Sequence, residues 1–304
     1  MSLNLAALSV DARSEYESFM RQFPTHSDLN FTSAFVWDIY ATNSYKILAD
    51  KKSLLFSLGD YHTGERLYCV ISHLNPEERI RETLLVMQEA GIKDPAVSLI
   101  PDYMIQQFRT SDDLIVEEDR DNFDYLISVR KMAQLHPREF KAKSYLAKKF
   151  AKERVSETRL LGLTEGRTQE QVLMCFARWC AVRKKSGKDV EDERAALDRM
   201  LEHAGKLNVQ CFGLFVGGIM VSFIIFEVEH NQNVGIFHFE KTDLTYVGAS
   251  EYIKKQLAKY LLSVGVELIN YEQDLGLDGL RQAKTLYHPI GYRKKYTVRM
   301  RTTV

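Results

Sequence analysis

The sequence predicts an α/β (α+β) protein of two tandem lobes, each with a mixed, mainly antiparallel sheet. Three observations lead there. The chain has 304 residues, 45% hydrophobic and 27% charged, a globular balance long enough for two cores. Short runs of strand-forming residues alternate with longer runs of helical period. The succession β-β-β-α-β-α-β then reads twice, once in each half.

The second half has the clearer spacing. Residues 167–183 place Val172, Cys175, Phe176, Trp179 and Cys180 on one helical face. Residues 192–207 do the same with Ala195, Leu197, Met200 and Leu201. Strands are expected at 210–216 and 219–228, joined by the hairpin dipeptide Gly217-Gly218. Asn231-Gln232-Asn233 turns the chain into a third strand, 234–240. A helix over 249–264, a short strand over 266–271, a helix over 277–287 stopped by Pro289, and a strand over 296–300 complete the half.

The first half follows the same order. A helix is expected at 11–22 and strands at 45–48, 54–58 and 67–72. Pro76 opens a helix that runs to Ala90. Then come a strand at 96–100, a short helix at 101–108, and strands at 114–117 and 125–129. The lobes divide as 1–135 and 136–304, with the boundary between 130 and 150. No low-complexity linker lies there, so the lobes are expected to pack tightly.

Composition narrows the function. Lys+Arg and Asp+Glu both number 41, so net charge gives no reason for DNA binding, and a polyanion site must be a local patch. The four cysteines, Cys69, Cys175, Cys180 and Cys211, form no CxxC pair and read as free thiols in a reducing compartment. The first residues carry no basic, apolar leader, which points to the cytoplasm. The apolar run from Cys211 to Phe226 is shorter than the ~20 residues of a membrane helix and is broken by Gly-Gly, so no membrane span is expected. The sequence contains no HExxH, metal-spaced Cys/His cluster, Walker loop or GxSxG, which argues against a metal site and serine-hydrolase chemistry. Oligomeric state is not encoded in any of these patterns.

The order of elements is that of the GNAT acyltransferase fold. Residues 271–296, YEQDLGLDGLRQAKTLYHPIGYRKKY, resemble the C-terminal signature of the family named for the phosphatidylglycerol lysyltransferase C-terminal domain. HSDLNFTSAFVWDIY at 26–40 and DYLISVRKMAQLHPREFKAKSYLAKKF at 124–150 resemble two further family segments. The family's usual Lys-Lys-Arg-Asn is replaced here by Ala142-Lys143-Ser144-Tyr145. The resemblance implies attack of an amine on an activated carbonyl, with acyl-CoA or aminoacyl-tRNA as co-substrate and no tightly bound cofactor.

Such chemistry needs a base, oxyanion donors and cations for donor phosphates. Glu272 and Asp274, at and beyond a strand end before Gly276, are the candidate base and amine holder, and strand alternation would turn both to one side. Arg281 and Lys284 share a helix face, with His288 four residues on, a grouping suited to a phosphate or carboxylate. Asp274 and Arg281 join Glu272 as catalytic candidates. Gly276, Tyr287, Lys295, Phe239, Lys241 and Lys143 are candidates for substrate or donor binding, with Lys284 and His288. The basic run Lys141, Lys143, Lys148, Lys149 and Lys152 around Phe140 and Tyr145 could attract CoA or tRNA phosphates. The acidic turn and cationic helix are expected to face one another around a polar guest. The text ahead of the helix at 249, Lys241 to Ser250, has one glycine and Asp243 and lacks the Gly-rich phosphate loop of GNAT enzymes, which weakens an acetyl-CoA reading. Two alternatives stand beside the transferase: a GNAT-like ligand-binding or regulatory protein without catalysis, and an acetyl-CoA-dependent N-acetyltransferase.

Overall fold

The computed structural model describes residues 4–59, 65–108, 113–183, 187–229 and 231–301. In chain order, β1 (Ala6–Ala7) leads to α1 (Arg13–Met20), which buries Tyr16 and Phe19. A 3-10 turn, Ser27–Leu29, precedes α2 (Phe31–Val36), whose N-cap Asn30 accepts from the Ser33 N–H at 3.0 Å. No helix is expected from the sequence over 31–36. It is too short to show a helical period, and all six of its residues are buried.

β2 (Ser44–Ile47), β3 (Ser53–Gly59) and β4 (Arg66–Ser72) form a meander. α3 (Pro76–Glu89) starts on its proline, then β5 (Ala96–Pro101), α4 (Asp102–Ile105) and β6 (Leu114–Glu118) follow. β7 (Asp124–Ser128), α5 (Val129–Gln134), α6 (Lys141–Glu153) and β8 (Ser156–Leu161) connect the halves.

α7 (Gly166–Arg183) matches its expected span, whereas α8 runs Lys188–Glu202. The polar first turn of α8, with Asp189 and Glu191, carries no apolar period, so its start is invisible to pattern reading. β9 (Gln210–Val216) and β10 (Ile219–Glu229) make the hairpin across Gly217 and Gly218, both at positive φ, as a primed turn requires. The apolar run is therefore two buried strands, and among the described residues no helix is long and apolar enough to cross a membrane. β11 (Val234–Thr242), α9 (Ala249–Ser263), β12 (Leu268–Asn270), α10 (Asp278–Thr285), β13 (Gly291–Arg293) and β14 (Lys295–Met300) end the chain.

Two seven-stranded sheets result, ordered β1-β2-β3-β4-β5-β14-β6 and β13-β7-β12-β11-β10-β9-β8. Most neighbours are antiparallel; β4/β5 and β11/β12 are parallel. Each sheet takes one strand from the other half of the chain. β14 lies between β5 and β6, and β7 lies between β12 and β13. A shared core reinforces this exchange. Phe35 and Val36 of the first half belong to the same buried cluster as Phe176, Ala196 and Leu197 of the second. A separate cluster fills the space between the second sheet and α5, α6 and α9.

Candidate active site

The site begins where two parallel strands part. β11 and β12 pair only over Val234–Ile236 and Leu268–Asn270. Beyond Ile236, β11 continues to Thr242 without that neighbour, while the segment after β12 turns away through Tyr271 and Glu272. The turn is abrupt because Glu272 sits at φ 55°, where a side chain is strained.

On the face toward α2, a β-bulge sets the geometry. Ile225 pairs with Phe239 and Phe226 with Phe237, so His238 is the extra residue of β11. The bulge turns His238 and Phe239 to the same side. His238 is wholly buried between two carboxylates: its Nε2 is 3.5 Å from Glu227 and its Nδ1 3.5 Å from Glu272. Ser33 Oγ lies 3.2 Å from Nδ1 and donates to Glu272 at 3.3 Å. Glu227 also accepts from Asn30 and, at 2.8 Å, from Thr32. Burial alone would lower the His238 pKa. The carboxylates of Glu227 and Glu272 on either side overcome that and raise it to about 9, so the ring is an imidazolium at neutral pH. Glu272 retains some exposure, which makes it the member of this chain that an outside group can reach.

On the opposite face, Tyr271 donates to Glu240 at 2.7 Å across the gap. Ser250 donates to the same carboxylate at 3.1 Å, and Lys254 of α9 pairs with it. Burial opposes the charge on Glu240, but Lys254 outweighs it and lowers the pKa. Tyr287 stands edge-on to Tyr271 at 6.0 Å, and the Lys143 ammonium lies 4.0 Å from the Tyr287 ring centre. Burial and then the charge of Lys254 lower the Lys143 pKa.

The turn after Glu272 is held by ions. Asp274, fully enclosed, accepts from Tyr125 Oη at 2.5 Å, from Arg281 at 2.9 and 3.1 Å, from Arg120 at 3.2 Å and from the Gly276 N–H at 3.0 Å. Burial pushes its pKa up, but these donors, Arg281 foremost, bring it down to about 2. Gly276, at φ 70°, faces Asp121 so closely that a Cβ would sit 2.8 Å from its Oδ2. Lys284 donates to the carbonyls of Tyr271 and Gln273, both at 2.6 Å. Its burial brings the pKa down to about 8 despite nearby Glu272, Asp124 and Asp274.

The expected acidic turn and cationic helix therefore meet, but they bind one another. Glu272 and Asp274 do not share a side as strand alternation suggests, because the extended chain ends at Asn270. Glu272 faces His238, whereas Asp274 faces Tyr125 and Arg281. Lys143 and Tyr287 lie together behind Tyr271. The other candidates lie apart from the gap. Lys241 pairs with Glu193 at 2.5 Å under Trp179, on the sheet face away from Glu240, and Phe239 stacks on Trp37 at 5.8 Å. His288 bonds the Glu139 carbonyl at 3.0 Å and abuts Phe140. Lys295 is enclosed with Asp28 and, at 2.7 Å, Asp124. His238, Glu227, Ser33, Glu240, Lys254 and Tyr271 are absent from the sequence-derived set. The polar residues inside the otherwise apolar strand text Phe237-His238-Phe239-Glu240 are the signal that points to the first and fourth of these.

The N-terminus of α9, where a GNAT enzyme holds pyrophosphate, is covered. Gly248, at φ 86°, packs so tightly on α6 that a Cβ would lie 2.2 Å from the Leu146 carbonyl oxygen. Asp243 nearby accepts from the Thr245 N–H and hydroxyl and lies 3.5 Å from Arg178.

The sequence matches the family described as phosphatidylglycerol lysyltransferase, C-terminal, over residues 80–299. A conserved protein of unknown function from Bacteroides thetaiotaomicron has a similar structure, with TM-score 0.82 and 21% identity over 99% of this chain and 100% of that one. L-PGS from Bacillus licheniformis is similar at TM-score 0.65 and 11% identity, covering 96% of this chain and 92% of its own. FemX follows at TM-score 0.56 and 10% identity, covering 97% of each. At these identities the likeness is one of fold. No curated protein matches the chain by sequence.

Proposed function

The chain belongs to the phosphatidylglycerol lysyltransferase C-terminal family, and from that premise we propose that it transfers an aminoacyl group from aminoacyl-tRNA to an amine or hydroxyl acceptor. The observation that carries the reading is the buried Glu227–His238–Glu272 chain, ending in a reachable carboxylate beside a strand edge that has lost its partner. In this reaction Glu272 takes the proton of the acceptor. The acceptor nitrogen or oxygen bonds to the ester carbon while the free edge of β11 offers main-chain donors to the developing oxyanion. The ester C–O bond then breaks, and the leaving ribose hydroxyl receives the proton that Glu272 holds. The imidazolium of His238, held by Glu227, orients Glu272 and balances its charge.

Two features favour a tRNA ester over a CoA thioester. The α9 N-terminus is blocked by α6, and Lys141, Lys148 and Lys152 of α6 are exposed to a polyanion. The test is transfer from radiolabelled aminoacyl-tRNA with wild type, Glu272→Gln and His238→Gln, alongside an acetyl-CoA arm. Transfer should fall about 100-fold or more in Glu272→Gln while the fold is kept. Undiminished transfer in that variant, or transfer from acetyl-CoA alone, would refute the assignment. The Tyr271–Glu240 bridge across the gap favours a second reading, a ligand-binding protein without turnover. Saturable tRNA binding with no transfer to any amine or hydroxyl acceptor would select it.

A further inference from the structure

The two sheets end in β1, β6, β13 and β8. β1 is two residues long and β13 three, too short to template another strand. β6 carries Glu117 and Glu118, already held by Arg299 and Lys294, and no cation of its own. β8 differs from all three. Its six residues, Ser156 to Leu161, pair with β9 in unbroken register and include no proline. Among the described residues its main chain joins no other strand, so its outer row of N–H and C=O groups stands open. Sheet edges of this kind are normally blunted by proline, a bulge, a cover or repelling charge. Here Val155, at the entry to the strand, is 95% exposed and Leu160 42%. The charges within the strand are Glu157 and Arg159, which pair with each other on one face, the guanidinium 4.7 Å from the Phe215 ring centre.

The order of these residues is complementary to itself. Laid antiparallel on a copy of itself about a two-fold axis at Thr158, the strand sets 157 opposite 159, 156 opposite 160 and 155 opposite 161. Glu157 then faces Arg159 of the partner subunit, and Arg159 faces Glu157 of the partner subunit. Opposed residues share a face, so the two intrachain pairs close into a ring of four alternating charges. The same register sets Val155 against Leu161 and Leu160 against Ser156, which covers the exposed apolar groups. Moving the axis by one residue sets Glu157 against Glu157, or Arg159 against Arg159, so charge selects this register over its neighbours.

We propose that β8 is a docking edge for the β8 of a second copy, which makes the chain a two-fold dimer with one sheet running through both subunits. The dimer is independent of the transferase reading and of the residues assigned to it. A strand pair of this length makes a small interface, so its Kd lies on the order of 10 µM.

Sedimentation of the whole chain from about 1 to about 300 µM should pass from monomer to dimer across that Kd. Hydrogen exchange on wild type locates the contact without any variant: amides of residues 155–161 should gain protection as concentration rises. Glu157→Arg places four cations around the axis and Arg159→Glu four anions, so each variant alone should stay monomeric while keeping the wild-type circular dichroism. Mixed together, the two variants restore the alternating ring and should dimerise, as should the double variant E157R/R159E by itself. A wild type that stays monomeric throughout, a dimer without new protection at 155–161, a dimer that survives either single reversal, or a mixture that remains monomeric overturns the proposal. The mixing result cannot arise from a change within one chain, because neither variant changes on its own.

Discussion

Asp274→Asn keeps the volume of an enclosed side chain and removes the charge on which Arg281 and Arg120 converge. In the folded chain this carboxyl titrates at about 2, because its donors overcome the opposing effect of burial. In the unfolded chain it titrates near ~3.9. A depressed folded pKa contributes stability above the unfolded value and loses it as pH falls through the folded one. The difference is on the order of 2 kcal/mol at neutral pH, declining from about pH 5 and nearly gone below pH 2. Urea unfolding of wild type and Asp274→Asn at several pH values between 7 and 2.5 measures it. The variant should be less stable at pH 7, and its stability should fall less steeply with acid. Parallel pH profiles in the two proteins would refute the idea that the charge of Asp274, rather than its shape, holds the turn that carries Glu272.

Other substitutions test the frame around the site. Lys295→Met strands the Asp28 and Asp124 carboxylates in the interior and should cost about 3–5 kcal/mol, read as a large fall in Tm; adding Asp28→Asn and Asp124→Asn should recover part of it. Gly248→Ala forces a Cβ against the Leu146 carbonyl at positive φ and should cost about 3 kcal/mol in urea unfolding, whereas Gly91→Ala, at φ 80° with open space around it, should cost about 1. His238→Gln should flatten the alkaline side of the stability profile. A raised histidine pKa contributes stability below about 6.5 that is lost as pH climbs through about 9.

Much of the fold is legible in the sequence because it is local. Gly217-Gly218 marks its hairpin, Pro76 its helix, and the period of 167–183 its length. The pairing of strands from opposite halves is not local: nothing in Lys295–Met300 names β5 and β6 as its neighbours. The same limit applies at the site. Arg281 and Asp274 are visible as a cation and an anion, but their union depends on a turn with three residues at positive φ, Glu272, Leu275 and Gly276. His238 lies in a segment that alternation would bury as plain strand, and only the one-residue bulge opposite Ile225 and Phe226 turns it toward Glu227 and Glu272.

The strand exchange also orders events during synthesis. The first sheet has a vacancy between β5 and β6 that only residues 295–300 fill. While the ribosome is still making the second half, the first half carries two unfilled edges, each open to mispairing. Its last ladder closes only when Met300 has left the exit tunnel. Removal of residues 295–300 should therefore damage the first sheet, in the half of the molecule farthest away in sequence.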